Sequence, residues 1–203
     1  MSRRALFLDR DGTLIYPVHF PSRPEELRIY ARLGPALRAL QEMDFLLVII
    51  TNQSGLARGY FTAADLDRMH AYLRAELERM GVRLDGIYYC PHHPNGSIHE
   101  LAITCECRKP RPGLLLQAAE ELDIDLARSW FVGDILDDVE AGNLAGCRTA
   151  LVDLGTESPP ASPLRRPAFV ADSTRHALDG ILARETGRPS VEQSYMPPSW
   201  QTV

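Results

Sequence analysis

Residues 7–14 read FLDRDGTL, an apolar run that stops at two aspartates one residue apart and is followed by Gly-Thr. The run before the first aspartate has the unbroken apolar character of a strand buried on both faces, which places Asp9 at the end of a strand spanning 5–9. Taken alone, Asp-x-Asp-Gly after a strand is more often a turn than a catalytic pair, because Asp and Gly favour the dihedrals that turns need. The reading is decided by what lies at the other strand ends. Strands are predicted at 45–51, 86–90, 130–134, 149–154 and 168–171, alternating with helical periodicity at 34–43, 62–80, 112–122, 137–145 and 173–185. The alternation predicts an α/β fold, a Rossmann-like three-layer sandwich around a mostly parallel central sheet. The second strand runs FLLVII directly into TNQSG, and the fourth runs WFV directly into GDILDD. Ligands of open α/β sheets bind beyond the carboxyl ends of the strands, so Thr51, Asn52 and Asp134 are expected to converge on Asp9. With RKPRPG opening a helix between them, three polar clusters on three strand ends argue for a site and against a mere turn.

Composition narrows the function. The chain has 203 residues, 45% hydrophobic and 24% charged, enough for one buried core. Its net charge of -5 and the lack of Lys/Arg runs beyond pairs argue against a surface built to neutralise nucleic-acid phosphates. No apolar run approaches the ~20 residues of a membrane span, and the apolar stretch after Arg3 and Arg4 is too short for a signal peptide. The expectation is a cytoplasmic monomer acting on a small molecule, with no nucleic-acid or membrane partner. Cys90, Cys105 and Cys107 crowd into one segment, which in a cytosolic chain suggests thiols or metal ligands and not disulfides. A single domain over 1–187 is expected, with a metal loop at 90–107 and a tail at 188–203 that lacks periodicity.

DRDGT, TNQSG, CRKPRPG and GDILDD resemble, in order, the four motifs of the haloacid dehalogenase superfamily phosphatases. TNQSGLARG and the CPHHP…CECRKPRPG pair are similar to the branch containing the heptose 1,7-bisphosphate and histidinol-phosphate phosphatases. About forty residues separate DRDGT from TNQSG, which leaves no room for a helical cap domain, so a capless member is expected.

The resemblance implies a chemistry. Hydrolysis of phosphate monoesters through an aspartyl-phosphate replaces one difficult displacement by two easier ones, and Asp9 is the expected nucleophile. Asp11 is expected to act as general acid on the leaving alkoxide and then as base on water. A catalytic Mg²⁺ suits the carboxylates of Asp9 and Asp134 with a carbonyl from Asp11. Thr51 and Asn52 would hold phosphoryl oxygens, and Lys109 would oppose transition-state charge. A second acid is expected at Asp138 or Asp137, with spacing favouring Asp138. Gln53, Ser54, Arg108 and His19 are candidate substrate contacts, Arg108 as a fork for a second phosphate or a sugar hydroxyl; Tyr16 and Arg23 share the His19 loop. Ile135 stands where the heptose branch usually carries a basic residue. Cys90, His92, Cys105 and Cys107 form a closed tetrahedral set for a structural Zn²⁺, the family pattern choosing His92 over His93 and His99. Cys147 reads as plain core. The expected activity is removal of the 7-phosphate of a heptose 1,7-bisphosphate. The alternatives are histidinol-phosphate hydrolysis, a capless polynucleotide 3′-phosphatase or a non-catalytic relative.

Overall fold

A computed structural model describes residues 2–188 and 195–200. Its regular elements are β1 (Arg4–Leu8), α1 (Gly34–Glu42), β2 (Phe45–Asn52), α2 (Ala63–Arg79), β3 (Gly86–Cys90), α3 (Gly113–Leu122), β4 (Trp130–Gly133), α4 (Leu136–Ala145), β5 (Arg148–Val152), β6 (Phe169–Ala171) and α5 (Thr174–Thr186). The strands form one sheet in the order β3-β2-β1-β4-β5-β6. Every neighbouring pair is parallel, so the expected mostly parallel sheet is fully parallel. Long crossovers between successive strands are what parallel pairing requires.

Strand alternation builds the two outer layers. Leu6 and Leu8 of β1 pack with Leu47 and Ile49 against α1, α2 and α5, while Ala5 and Phe7 pack with Leu46, Val48 and Ile50 against α3 and α4. Both faces of the central strands are therefore covered, the reason they read as unbroken apolar runs. Helix α2 starts where the sequence places it. Thr62 Oγ1 accepts from the Asp65 backbone at 3.2 Å and the Asp65 carboxylate accepts from the Thr62 backbone at 2.7 Å, a capping box with Asp as its acid.

The strand order reverses at β1, so the carboxyl ends of β1, β2 and β4 border the crevice where such sheets hold ligands. Strands β1 and β4 stop at Leu8 and Gly133, one residue short of the predicted ends, and Asp9 and Asp134 are the first residues beyond them. Between β1 and β2 the chain holds only α1 and a short turn at Pro24–Glu26, in keeping with a capless architecture.

At the opposite end of the sheet lies a cleft of about 790 Å³ lined by Arg3, Arg4, Arg38, Arg83 and Arg128. Three of these cap helix C-termini: Arg3 donates to the Leu122 carbonyl at 2.8 Å, Arg4 to that of Met43 at 2.7 Å and Arg38 to that of Met80. Cations at the negative end of a helix satisfy orphan carbonyls, so the arginine cluster has a structural explanation. Residues 189–194 and 201–203 of the expected tail lie outside the described residues. The described part touches the body: Tyr195 donates to Asp153 at 2.7 Å, and the Trp200 indole to the Glu157 carbonyl at 3.2 Å. Among the described residues no helix is long and apolar enough to cross a membrane.

Candidate active site

Asp9, Asp134 and Asp138 converge at the carboxyl ends of β1 and β4 with Lys109 among them. Lys109 Nζ lies 2.6 Å from Asp9 Oδ1 and 2.5 Å from Asp138 Oδ1, and donates to the Ile50 carbonyl at 3.1 Å. This lysine is 3% exposed and Asp138 1%, so the ion pairs are shielded from water. The two acidic candidates after β4 separate cleanly. Asp138 faces Lys109, whereas Asp137 pairs with Arg165 on the outside. Asp134 accepts from the Thr13 hydroxyl at 3.0 Å, and the Thr13 carbonyl in turn accepts from Thr174 at 2.6 Å. Gly12 makes this approach possible. It sits at φ +87°, and a Cβ there would come within 2.3 Å of the Asp134 carboxylate. At Gly133 a Cβ would meet Asp138 at 2.2 Å.

The end of β2 supplies the second wall. Thr51 is buried beside Asp11 and Gln53, whose side-chain nitrogen donates to the Thr51 hydroxyl at 2.8 Å and to Asp11 Oδ2 at 3.0 Å. Gln53, expected among substrate contacts, thus has its amide nitrogen engaged inside the site. The Asn52 side chain clamps the Lys109 segment, accepting from the Lys109 backbone at 3.1 Å and donating to its carbonyl at 3.2 Å. A cleft of about 220 Å³ opens here, lined by Asp11, His19, Asn52, Gln53 and Ser54 among others. Of the other loop candidates, Tyr16 packs at a tilt against Tyr30 and Arg23 pairs with Glu26, and neither lines this cleft. Arg108 donates to the His92 carbonyl at 3.4 Å.

Three residues escaped the sequence reading. Thr13 and Gly12 belong to the same DRDGT stretch and hold Asp134. Arg10, between the two aspartates, is 1% exposed and closes a fork on Asp11, Nε to Oδ2 at 2.9 Å and Nη2 to Oδ1 at 3.0 Å. Its signal was present in the sequence, since an arginine in a buried run needs a partner.

The carboxylate group has the character of a cation site. Oxygens of Asp9, Asp134 and Asp138 lie within 4.8 Å of one another. Burial, countered by Lys109 but reinforced by Asp138 and Asp11, pushes the Asp9 carboxyl up to about 7. Burial and then the charges of Asp9 and Asp138 push Asp134 up to about 8. Acids that resist ionising together are those a hard divalent cation would relieve, and all-oxygen donors suit it.

The sulfur cluster sits at the end of β3. Sγ of Cys90 lies 3.5 Å from Cys105 and 3.2 Å from Cys107, Cys105 and Cys107 lie 3.2 Å apart, and His92 Nδ1 lies 3.3 Å from Cys107. A zinc tetrahedron with bonds of ~2.3 Å separates its ligand atoms by roughly 3.7 Å, close to these spacings. All four cysteines are free thiols, with Cys147 buried in the core, and burial pushes the Cys90 thiol well above its usual range. A cation would reverse that penalty. His93 is taken by Arg58, which donates to it at 3.0 Å, and His99 belongs to an exposed turn.

The likeness to known proteins matches this geometry. Residues 106–177 match a family model described as HAD-hydrolase-like. The chain is 46% identical to the D-glycero-beta-D-manno-heptose-1,7-bisphosphate 7-phosphatase of Yersinia pestis over 148 residues, 73% of this chain and 79% of that one. It is 44% identical to the enzyme of that name from Escherichia coli K12, over 73% and 78%. The crystal structure of D,D-heptose 1,7-bisphosphate phosphatase from B. bronchiseptica, complexed with magnesium and phosphate, superposes with a TM-score of 0.77 at 33% identity, covering 89% of this chain and 99% of that one. A putative HAD-like phosphatase from Mesorhizobium loti superposes with a TM-score of 0.79 at 34% identity, covering 94% and 90%. The chain belongs to the haloacid dehalogenase-like hydrolases, within the family of the heptose 1,7-bisphosphate phosphatases.

Proposed function

We propose that the protein is a magnesium-dependent phosphatase that removes the 7-phosphate of D-glycero-D-manno-heptose 1,7-bisphosphate through a phosphorylated Asp9. The observation that carries the reading is the buried Asp9–Lys109–Asp138 array at the switch point of the sheet, combined with relatives of that name. Lys109 holds Asp9 Oδ1, which leaves Oδ2 to bond phosphorus as the bond to the sugar oxygen breaks. Asp11 gives its proton to that oxygen and later takes one from the water that releases phosphate from Asp9. Thr51 donates its hydroxyl and Asn52 its backbone N–H to phosphoryl oxygens, and the fixed charge of Lys109 opposes the charge that builds on them. Asp9 and Asp134 would hold Mg²⁺ with the Asp11 carbonyl, and the ion supplies countercharge for an anionic nucleophile meeting an anionic phosphate. Cys90, His92, Cys105 and Cys107 would hold the structural Zn²⁺. The single domain over 1–187, the cytoplasmic placement and the monomeric state belong to this reading as well. Histidinol phosphate is not favoured, since the Yersinia pestis and Escherichia coli relatives are named as heptose enzymes. Turnover of heptose 1,7-bisphosphate and histidinol phosphate, measured side by side, tests the choice; faster hydrolysis of histidinol phosphate would reverse it.

Magnesium binding should depend on pH. Asp9 and Asp134 carry carboxyls raised from an ordinary 3.8 to about 7 and about 8. A raised carboxyl means that the folded chain holds protons more tightly than the unfolded one. That stabilisation is complete below about pH 4 and fades as pH rises through 7 to 8. A cation must displace those protons, so the gain in Tm from added Mg²⁺ is expected to be larger at about pH 8.5 than at about pH 6. Calorimetry at both values reads it, and equal gains would place the ion elsewhere.

Arg108 tests the second phosphate. It follows the zinc ligand Cys107 directly, precedes Lys109 and is half-buried, so its guanidinium can serve the part of the substrate remote from the reacting phosphorus. Arg108→Ala is expected to lower kcat/KM for the bisphosphate at least about tenfold, about 1.4 kcal/mol, and to affect p-nitrophenyl phosphate much less. Equal losses would assign Arg108 to the reacting phosphate or to the fold.

A further inference from the structure

Arg10 is nearly inaccessible, and within the described residues its one ion pair is with Asp11, a side chain that is itself 28% exposed. Its Nη1 has no partner. An arginine buried at such a cost is poorly explained by stability, because an apolar side chain of similar volume packs without desolvating a charge. The fork and the Gln53 amide together engage both oxygens of Asp11, one from the segment after β1 and the other from the segment after β2. His70 does not compete for the charge. Its Nε2 is also buried without a partner, and burial followed by the Arg10 charge pushes its pKa down to about 4, leaving a neutral ring.

We propose that Arg10 is a positioning residue that, with Gln53, fixes the Asp11 carboxyl where it can exchange a proton with the leaving oxygen and with water. The inference rests on the reading of Asp11 as acid and base. A planar fork sets both distance and rotation of a carboxylate, which a lysine does not. A general acid misplaced by about 1 Å loses much of a contribution that is commonly ~10² to 10⁴-fold.

The test is Arg10→Lys, which keeps the charge and removes the fork. p-Nitrophenolate departs without a proton, whereas the alkoxide of an alkyl phosphate needs one. The expected result is at least a tenfold loss of kcat/KM on an alkyl phosphate such as glycerol 3-phosphate, against less than about threefold on p-nitrophenyl phosphate. Inhibition by inorganic phosphate should stay within about twofold, since phosphate is held by other groups, and a general distortion of the site would move it. In an Asp11→Asn background the same Arg10 change should add less than about twofold to either substrate. Equal losses on both substrates, or losses that multiply with Asp11→Asn, would overturn the proposal. Should Arg10→Lys fail to fold, Arg10→Gln is measured in the same way, and failure of both assigns Arg10 to the fold and also overturns it. Wild-type turnover of the aryl and alkyl phosphates is the control for the phosphatase reading, and its absence would overturn that reading together with this one.

Discussion

Asp9→Asn is expected to lower kcat by at least about 10⁴-fold while leaving the fold in place, the scale seen when a covalent nucleophile is removed. The amide has the shape of the carboxylate but cannot bond phosphorus and then leave it. Folding survives because Lys109 keeps its second anion, Asp138 at 2.5 Å, and its bond to the Ile50 carbonyl. The substitution also removes a charge whose burial is unfavourable, the origin of the raised Asp9 carboxyl. Its Tm should therefore match or exceed that of the wild type, most clearly in EDTA above about pH 7, where the wild-type carboxylate is ionised with no ion beside it. Steady-state kinetics and a thermal melt measure both effects. Beryllofluoride, a mimic of the phosphoryl group, should bind the wild-type protein and not the variant. Hydrolysis by Asp9→Asn near the wild-type rate would remove the aspartyl-phosphate from the mechanism.

The parts of this site that the sequence makes legible are those where a local pattern changes abruptly. FLLVII ending in Thr51 and WFV ending in Gly133 and Asp134 mark strand ends, and a parallel sheet carries its strand ends to one edge. The Cys and His spacing is likewise readable, because a tetrahedral ion imposes a ligand number. What stays hidden depends on which way a side chain turns. Asn52 was read for its backbone N–H, yet its amide side chain clamps the Lys109 backbone, a contact across 57 positions of sequence. Gln53 is a candidate substrate contact in the sequence, and in the structure its amide nitrogen bonds Asp11 and Thr51. Arg10 carries no expected role in the sequence. Only the three-dimensional bend after β1 shows that its guanidinium folds back on the neighbouring carboxylate instead of running to solvent. The arginines at the other end of the sheet pose the reverse problem. Concentrated in one cleft they resemble an anion site, and only their hydrogen bonds to helix carbonyls identify them as caps.

Removing the zinc should show how the loop supports catalysis. Between β3 and α3 the chain has little regular structure besides the turn His99–Leu101, so few backbone ladders hold it. Its other ties include the Ile98 backbone on the Ala57 carbonyl at 2.9 Å, the Ser97 hydroxyl on the Arg58 carbonyl at 2.8 Å, Arg58 on His93, the Asn52 clamp on the Lys109 backbone, and Arg111 on the Cys105 carbonyl at 2.6 Å. Structural zinc in small peptides binds with apparent free energies of roughly 10 to 16 kcal/mol, far more than such ties supply. Cys105→Ser is expected to take the zinc content from about one per chain to near zero. With a loss of about 3 to 5 kcal/mol, Tm should fall by roughly 6 to 20 °C, at 2 to 4 °C per kcal/mol for a chain of this size. Activity should fall too, because Cys107 stands two residues before Lys109 and the loop sets where that lysine enters the site. EDTA separates the two metals in time. A brief exposure should stop turnover by withdrawing Mg²⁺, with full recovery when Mg²⁺ is restored, whereas the Cys105 variant should not recover in Mg²⁺. Elemental analysis, a melt and a rescue assay read the three quantities. A zinc-free Cys105→Ser protein with unchanged Tm and full turnover would mean that the four side chains meet without an ion and that the loop's own hydrogen bonds suffice to place Lys109.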